Sequence, residues 1–164
     1  MNKDADHEAK CERCGVSCHL TATVPDGRNV AVWGLHCKFL RRTGDKAECS
    51  VYEDRFEKAP WCHHADQAQP LGMLRVGCPY NGDGAGKTAL RGEEYDAVWP
   101  GLLPGVLCQV WPEWIDPDAF LAELKQREPD KEWEYVPKHK GHVFQPKGEP
   151  PTFLIAMNPP RPPR

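Results

Sequence analysis

The sequence predicts a small, loop-rich α+β single domain with short strands and two or three short helices. Three observations predict it. The chain has 164 residues, the length of one domain. Its 17 prolines and 14 glycines interrupt every long run, which excludes a helical bundle or an extended regular sheet. Helical spacing and strand-like runs both occur, but only over short stretches. A fold so interrupted needs rigidity from another source, and six of the eight cysteines fall between Cys11 and Cys62. A bound metal is the expected source, because its binding free energy becomes folding free energy in small domains.

The elements follow in order. Residues 1–10 are polar and charged and read as a flexible leader. Residues 11–19 form a chelating turn. Pro25-Asp26-Gly27 is a turn signal between two β-like runs, 21–24 and 29–33, so a hairpin is expected. Residues 41–46 read as a charged loop. In 49–58 the aromatic pair Tyr52 and Phe56 lies four apart, which fits one short helix stopped by Pro60. Residues 71–78 are a candidate strand, 81–86 a glycine-rich loop, and 106–111 a further strand. The best helix covers 116–127: Asp116 can cap it, Pro117 suits its first turn, and Phe120, Leu121 and Leu124 form its apolar stripe. Residues 133–136 and 142–145 are expected to pair as strands. Seven prolines fall in 146–164, so this tail reads as extended chain, with Phe153-Leu154-Ile155 able to dock as an edge segment. The expected organisation is thus a leader 1–10, a cysteine-rich metal-binding region 11–65, a Trp/Pro-rich α+β region 66–145 packed on it, and the tail 146–164.

Charge and targeting narrow the function classes. A formal net charge of −3 and a pI near 6.2 carry no basic signature for nucleic acid or anionic lipid. No run reaches the ~18 apolar residues of a membrane span, and the first residues contain no apolar signal core. The expected compartment is the cytoplasm. Thiols stay reduced there, so clustered cysteines point to metal binding or catalysis rather than to disulfides.

Cys11, Cys14 and Cys18 follow the pattern C-x2-C-x3-C, and Cys37, Cys49 and Cys62 complete the set. Thiolates at a two-residue spacing in a tight turn converge on one point, which is how a chain chelates a soft metal. Gly15 suits close backbone approach beside that turn. Six thiolates exceed the four of one tetrahedral zinc. One zinc with bystanders, two metals with bridging thiolates, and an iron–sulfur cluster all remain open, since soft ligands suit zinc and iron alike. His19, His36, His63 and His64 each neighbour a cysteine and could replace a thiolate. Tyr52 and Arg55 could brace the cluster, with Arg55 offsetting thiolate charge. Cys78 and Cys108 are expected as small buried hydrophobes.

Cys11-Glu12-Arg13-Cys14-Gly15-Val16-Ser17-Cys18, followed by Cys37, by Cys49 with Tyr52 and Arg55, and by Cys62, resembles the zinc- or iron-chelating CxxCxxCC family. The resemblance covers residues 11–62 and implies metal chelation without naming a reaction. Ser17 stands where that family has the first of two adjacent cysteines.

Three other signals compete. Gly82 to Thr88 ends in GKT like a phosphate-binding loop, but the first glycine is one residue late and Gly92 interrupts the helix that should follow. The loop is expected at the surface or as a lid. Trp99, Trp111, Trp114 and Trp133 are expected to fill the core, or else to wall a ligand or partner site. Lys138-His139-Lys140-Gly141-His142 is a small basic turn, expected in solvent. The functional expectation is a metal-binding protein with a zinc or iron–sulfur centre, acting as a structural or regulatory interaction module that meets another protein through its Trp/Pro-rich half. The alternatives are a redox enzyme or electron-transfer protein and, against the acidic balance, a zinc-containing nucleic-acid protein.

Overall fold

The computed structural model describes residues 10–102, 114–138, 141–149 and 153–156. They form an α+β domain of antiparallel strand pairs and short helices. Strand β1 (His19–Thr23) pairs with β2 (Asn29–His36), and the register shifts between His19 and Leu20. The turn joining them is the one expected at Pro25-Asp26-Gly27, with Gly27 at φ 89° and the Asp26 carboxylate accepting the Arg28 N–H at 2.9 Å. Strands β3 (Leu40–Thr43) and β4 (Lys46–Cys49) form a second hairpin where a charged loop was expected. Only Leu40 and Ala47 on it are buried, so its outer face carries the charges that read as loop.

Helices α1 (Arg55–Lys58) and α2 (Ala65–Ala68) are single turns. The strand expected at 71–78 is absent among the described residues. Gly72 and Gly77 take left-handed φ values of 66° and 76°, which breaks the extended run and leaves one parallel bridge between Arg75 and Lys87. The expected strand 106–111, Trp111, Cys108 and His139 lie outside the described residues. Helix α3 (Gly92–Leu102) was not foreseen. Its buried residues Tyr95, Trp99 and Leu102 follow helical spacing, and Gly92 opens it at φ 56° rather than breaking it. Helix α4 (Pro117–Arg127) is the expected one, with the Asp116 carboxylate accepting the N–H groups of Asp118 and Ala119. Strands β5 (Trp133–Lys138), β6 (Gly141–Pro146) and β7 (Phe153–Ala156) form the third sheet, so the apolar segment in the tail does dock as an edge strand. Among the described residues no helix is long and apolar enough to cross a membrane.

One core draws on both the cysteine-rich and the Trp-rich stretches. Leu20, Val30, Val32 and Leu35 of the first hairpin pack with Tyr95, Trp99, Phe120, Leu124, Trp133 and Phe144. Trp99 and Trp133 therefore fill the core, the simpler of their two expected roles. Arg127 on α4 holds α3 by pairing with Asp96 and lying over the Tyr95 and Trp99 rings, with centroid distances of 4.5 and 4.9 Å. Strand β2 meets α4 at Gly34, where an added Cβ would collide with the Glu123 side chain. Gly34→Ala is therefore expected to lower stability by about 1–3 kcal/mol, the usual result of overpacking. Urea unfolding checks it; an unchanged midpoint would show that Glu123 moves aside freely.

Candidate metal centre

The N-terminal turns bring the thiols together. After Cys11 and Cys14, the Gly15 carbonyl accepts the Cys18 N–H at 3.0 Å and bonds His19 Nδ1 at 2.8 Å, closing a 3-10 turn over Val16–Cys18. Gly15 has φ 71°, and a Cβ there would lie 2.5 Å from that of Ala47. The glycine is thus required by the second hairpin packing on this turn. The Cys37 N–H donates to the Cys18 carbonyl at 2.8 Å, so the two ends of the first hairpin set Cys18 beside Cys37. Cys37 also bridges Ile115, and the Lys38 N–H donates to the Trp114 carbonyl at 2.7 Å, which bolts this corner to the start of α4. Cys49 ends β4, and Cys62 follows α1 with its N–H on the Ala59 carbonyl at 2.8 Å.

All six expected cysteines line one cavity of about 640 Å³. Tyr52 and Arg55 line it too. Cys78, expected as a plain hydrophobe, is a seventh thiol on its wall, and Arg75 and Trp61 join it. Trp61, Ala59 and Cys37 form an apolar cluster against which Cys18, Cys62 and Trp114 pack. This setting raises the thiols. Burial first, then the neighbouring Cys37, Cys62 and Cys49, push Cys18 up to about 12. Burial likewise pushes Cys37, Cys62 and Cys78 upward.

Several hydrogen-bond donors also reach the sulfurs. Trp61 Nε1–H donates to Cys37 Sγ at 3.4 Å, and the Arg13 N–H donates to Cys11 Sγ at 3.4 Å. The Phe39 and Tyr80 N–H groups meet the sulfurs of Cys37 and Cys78. Ser17 hydrogen-bonds Cys18. The positive charge of Arg55 acts on Cys62. Arg55 is itself held over the Tyr52 ring at 3.9 Å and donates to the Tyr52 carbonyl at 2.6 Å. Arg42, pushed down by burial and by the neighbouring Arg91, donates from its guanidinium to the Cys14 carbonyl at 3.3 Å.

The histidines divide. His63 and His64 line the cavity. His19 is buried and bonded to Gly15, and burial pushes it down to about 3, so it is a neutral core histidine. His36 Nδ1 bonds the Cys37 carbonyl at 2.9 Å. The glycine-rich loop is neither a lid on this cavity nor an exposed phosphate cradle. Lys87 is buried and donates to the His19 carbonyl, while the Asn81 side chain donates to the Gly84 carbonyl at 3.0 Å. The Thr88 N–H continues onto Asn29 at 2.6 Å, so this segment stitches the loop to β2.

The donor set fits a soft ion: thiols at one cavity, with hydrogen-bond donors aimed at sulfur. Among the described residues no three Cys, His, Asp or Glu side chains form a ready-made metal-holding group. The thiols line a cavity, so coordination would draw them closer together. Comparison with family models, curated proteins and solved structures returned no match to the chain.

Proposed function

We propose that the chain is a metal-binding protein whose centre is held by thiolates of Cys11, Cys14, Cys18, Cys37, Cys49 and Cys62, and that it works as a structural or regulatory module in the cytoplasm. The observation that carries this reading is the meeting of six thiols, from turns and strand ends spread along residues 11–62, on one cavity. Apolar packing alone would not place arginine charge and N–H donors around those sulfurs. When bound, the metal would cross-link segments that have little core of their own. Tyr52 and Arg55 would brace that centre, and the likeness to the CxxCxxCC chelating family agrees with it. A protein partner at the C-terminal half belongs to the same proposal; with Trp99 and Trp133 buried, it would use other residues.

A second reading is a redox or electron-transfer protein with an iron–sulfur cluster. It is favoured by the size of the cavity, about 640 Å³, and by the N–H donors at sulfur, which tune cluster potentials. Metal and sulfide analysis of protein purified without oxygen or chelator tests both. Colourless protein with zinc supports the structural module. Coloured protein with iron and acid-labile sulfide supports the redox reading. Protein that retains no metal, and takes up neither zinc nor iron on titration, overturns both.

A further inference from the structure

Cys78 lies beyond the stretch that resembles the chelating family, yet it shares the cavity wall with Cys11 and Cys14. Three features define its setting. The first is local. At Cys11, Cys37 and Cys78 the backbone N–H two residues later, from Arg13, Phe39 and Tyr80, meets the sulfur. Such a turn supplies a donor to a charged sulfur. At Cys78 the turn is built by Gly77 at φ 76° and by the Cys78 N–H on the Arg75 carbonyl at 3.0 Å.

The second feature is a tie between loops. Arg75 pairs with Glu12, the residue after Cys11, so the segment leading to Cys78 is held against the Cys11–Cys14 turn. The third is packing. Cys18, Cys62 and Phe39 pack on the Cys37–Ala59–Trp61 cluster, and the Phe39 carbonyl accepts the N–H of Ser50, the residue after Cys49; Cys11, Cys14 and Cys78 are not part of that cluster. The seven thiols thus divide into an inner four and an outer three.

We propose that Cys11, Cys14 and Cys78 form a second thiolate site, which binds one zinc-like divalent ion beside a separate centre held by Cys18, Cys37, Cys49 and Cys62. The inference rests on the metal-binding reading above and adds the number of ions and the division of their ligands. Four inner thiolates complete a tetrahedron. Three outer thiolates leave the fourth position to water or to a small thiol from solution. Cys11 is exposed, so the outer ion sits at the mouth of the cavity and exchanges faster than the inner one.

The test is anaerobic zinc titration of the demetallated full chain against a chromophoric chelator. Wild type should bind two equivalents with distinct affinities, and Cys78→Ser should bind one, keeping the tighter. Cys11→Ser should lose the same equivalent and serves if Cys78→Ser does not fold. Two equivalents retained in both variants would overturn the second site. A single equivalent in wild type would also overturn it while leaving the metal-binding reading intact. No zinc bound by wild type would overturn this proposal, and failure with iron as well would sink the parent reading.

Discussion

Cys18→Ser should remove the inner metal and lower the melting temperature of the loaded protein, while changing the metal-free protein little. Cys18 packs with Cys62 on the cluster that holds Cys37, and its carbonyl receives the Cys37 N–H, so it is the hub of the inner group. Serine keeps the size of the side chain but offers a hard, poorly ionising oxygen to a soft ion. An ion present at about 1,000 times its Kd contributes about 4 kcal/mol, which is roughly 8–16 °C in Tm for a chain of this length. In the metal-free state the substitution exchanges one small neutral group for another, and an effect of about 1–2 kcal/mol or less is expected. The check is paired: melting curves and metal content, with and without bound metal. Equal losses in both states would mean that Cys18 is a packing residue. Full metal retention would remove it from the ligand set.

How much of this was legible in the sequence depends on the distance over which each cause acts. The first hairpin, α4 and the β5–β6 pair carry local signals: a Pro-Asp-Gly turn, a capping Asp116 ahead of Pro117, and aromatic strand residues. The gathering of the six N-terminal cysteines on one cavity was legible in their clustering along residues 11–62. Helix α3 was hidden by Gly92 and Pro100, although Tyr95, Trp99 and Leu102 show its period. Gly92 sits at the start, and Pro100 lies inside the helix near its end, at the cost of the hydrogen bond its missing N–H would make. The β3–β4 hairpin was hidden because two buried residues, Leu40 and Ala47, are too few to make an alternation. Gly15 was read only from its place beside the cysteines; Ala47 also crowds it, and only tertiary packing reveals that.

Cys78 and Lys87 illustrate the same limit at the site. An isolated cysteine has no spacing partner, so nothing local separates Cys78 from a buried hydrophobe. Its position beside Cys11 and Cys14 is created by the Glu12–Arg75 pair, which spans distant parts of the chain. The GKT run contains the residues of a phosphate loop, but Lys87 is turned inward to the His19 carbonyl. A lysine committed to a backbone carbonyl acts as a strut, and its chemistry is decided by burial rather than by motif.

Phe120→Ala should produce the complementary pattern: a large stability loss in both metal states, with metal stoichiometry preserved below the transition. Phe120 is fully buried and meets Phe144 edge-on at a centroid distance of 4.8 Å, so its removal leaves a cavity between α4 and the third sheet. Such a truncation costs about 3–5 kcal/mol, or roughly 6–20 °C in Tm for a chain of this length. The thiol cavity begins just past the C-terminal end of β2, tied to this core through the Cys37–Ile115 bridge and the Lys38–Trp114 hydrogen bond. Those bonds link backbones and survive the loss of one side chain. The inner thiols should therefore still gather, and bound metal should offset part of the loss by mass action. Metal content and melting curves of Phe120→Ala, set beside those of Cys18→Ser, separate two sources of stability within one domain. Loss of metal in Phe120→Ala at temperatures where its helices persist would show instead that the centre is assembled by the core.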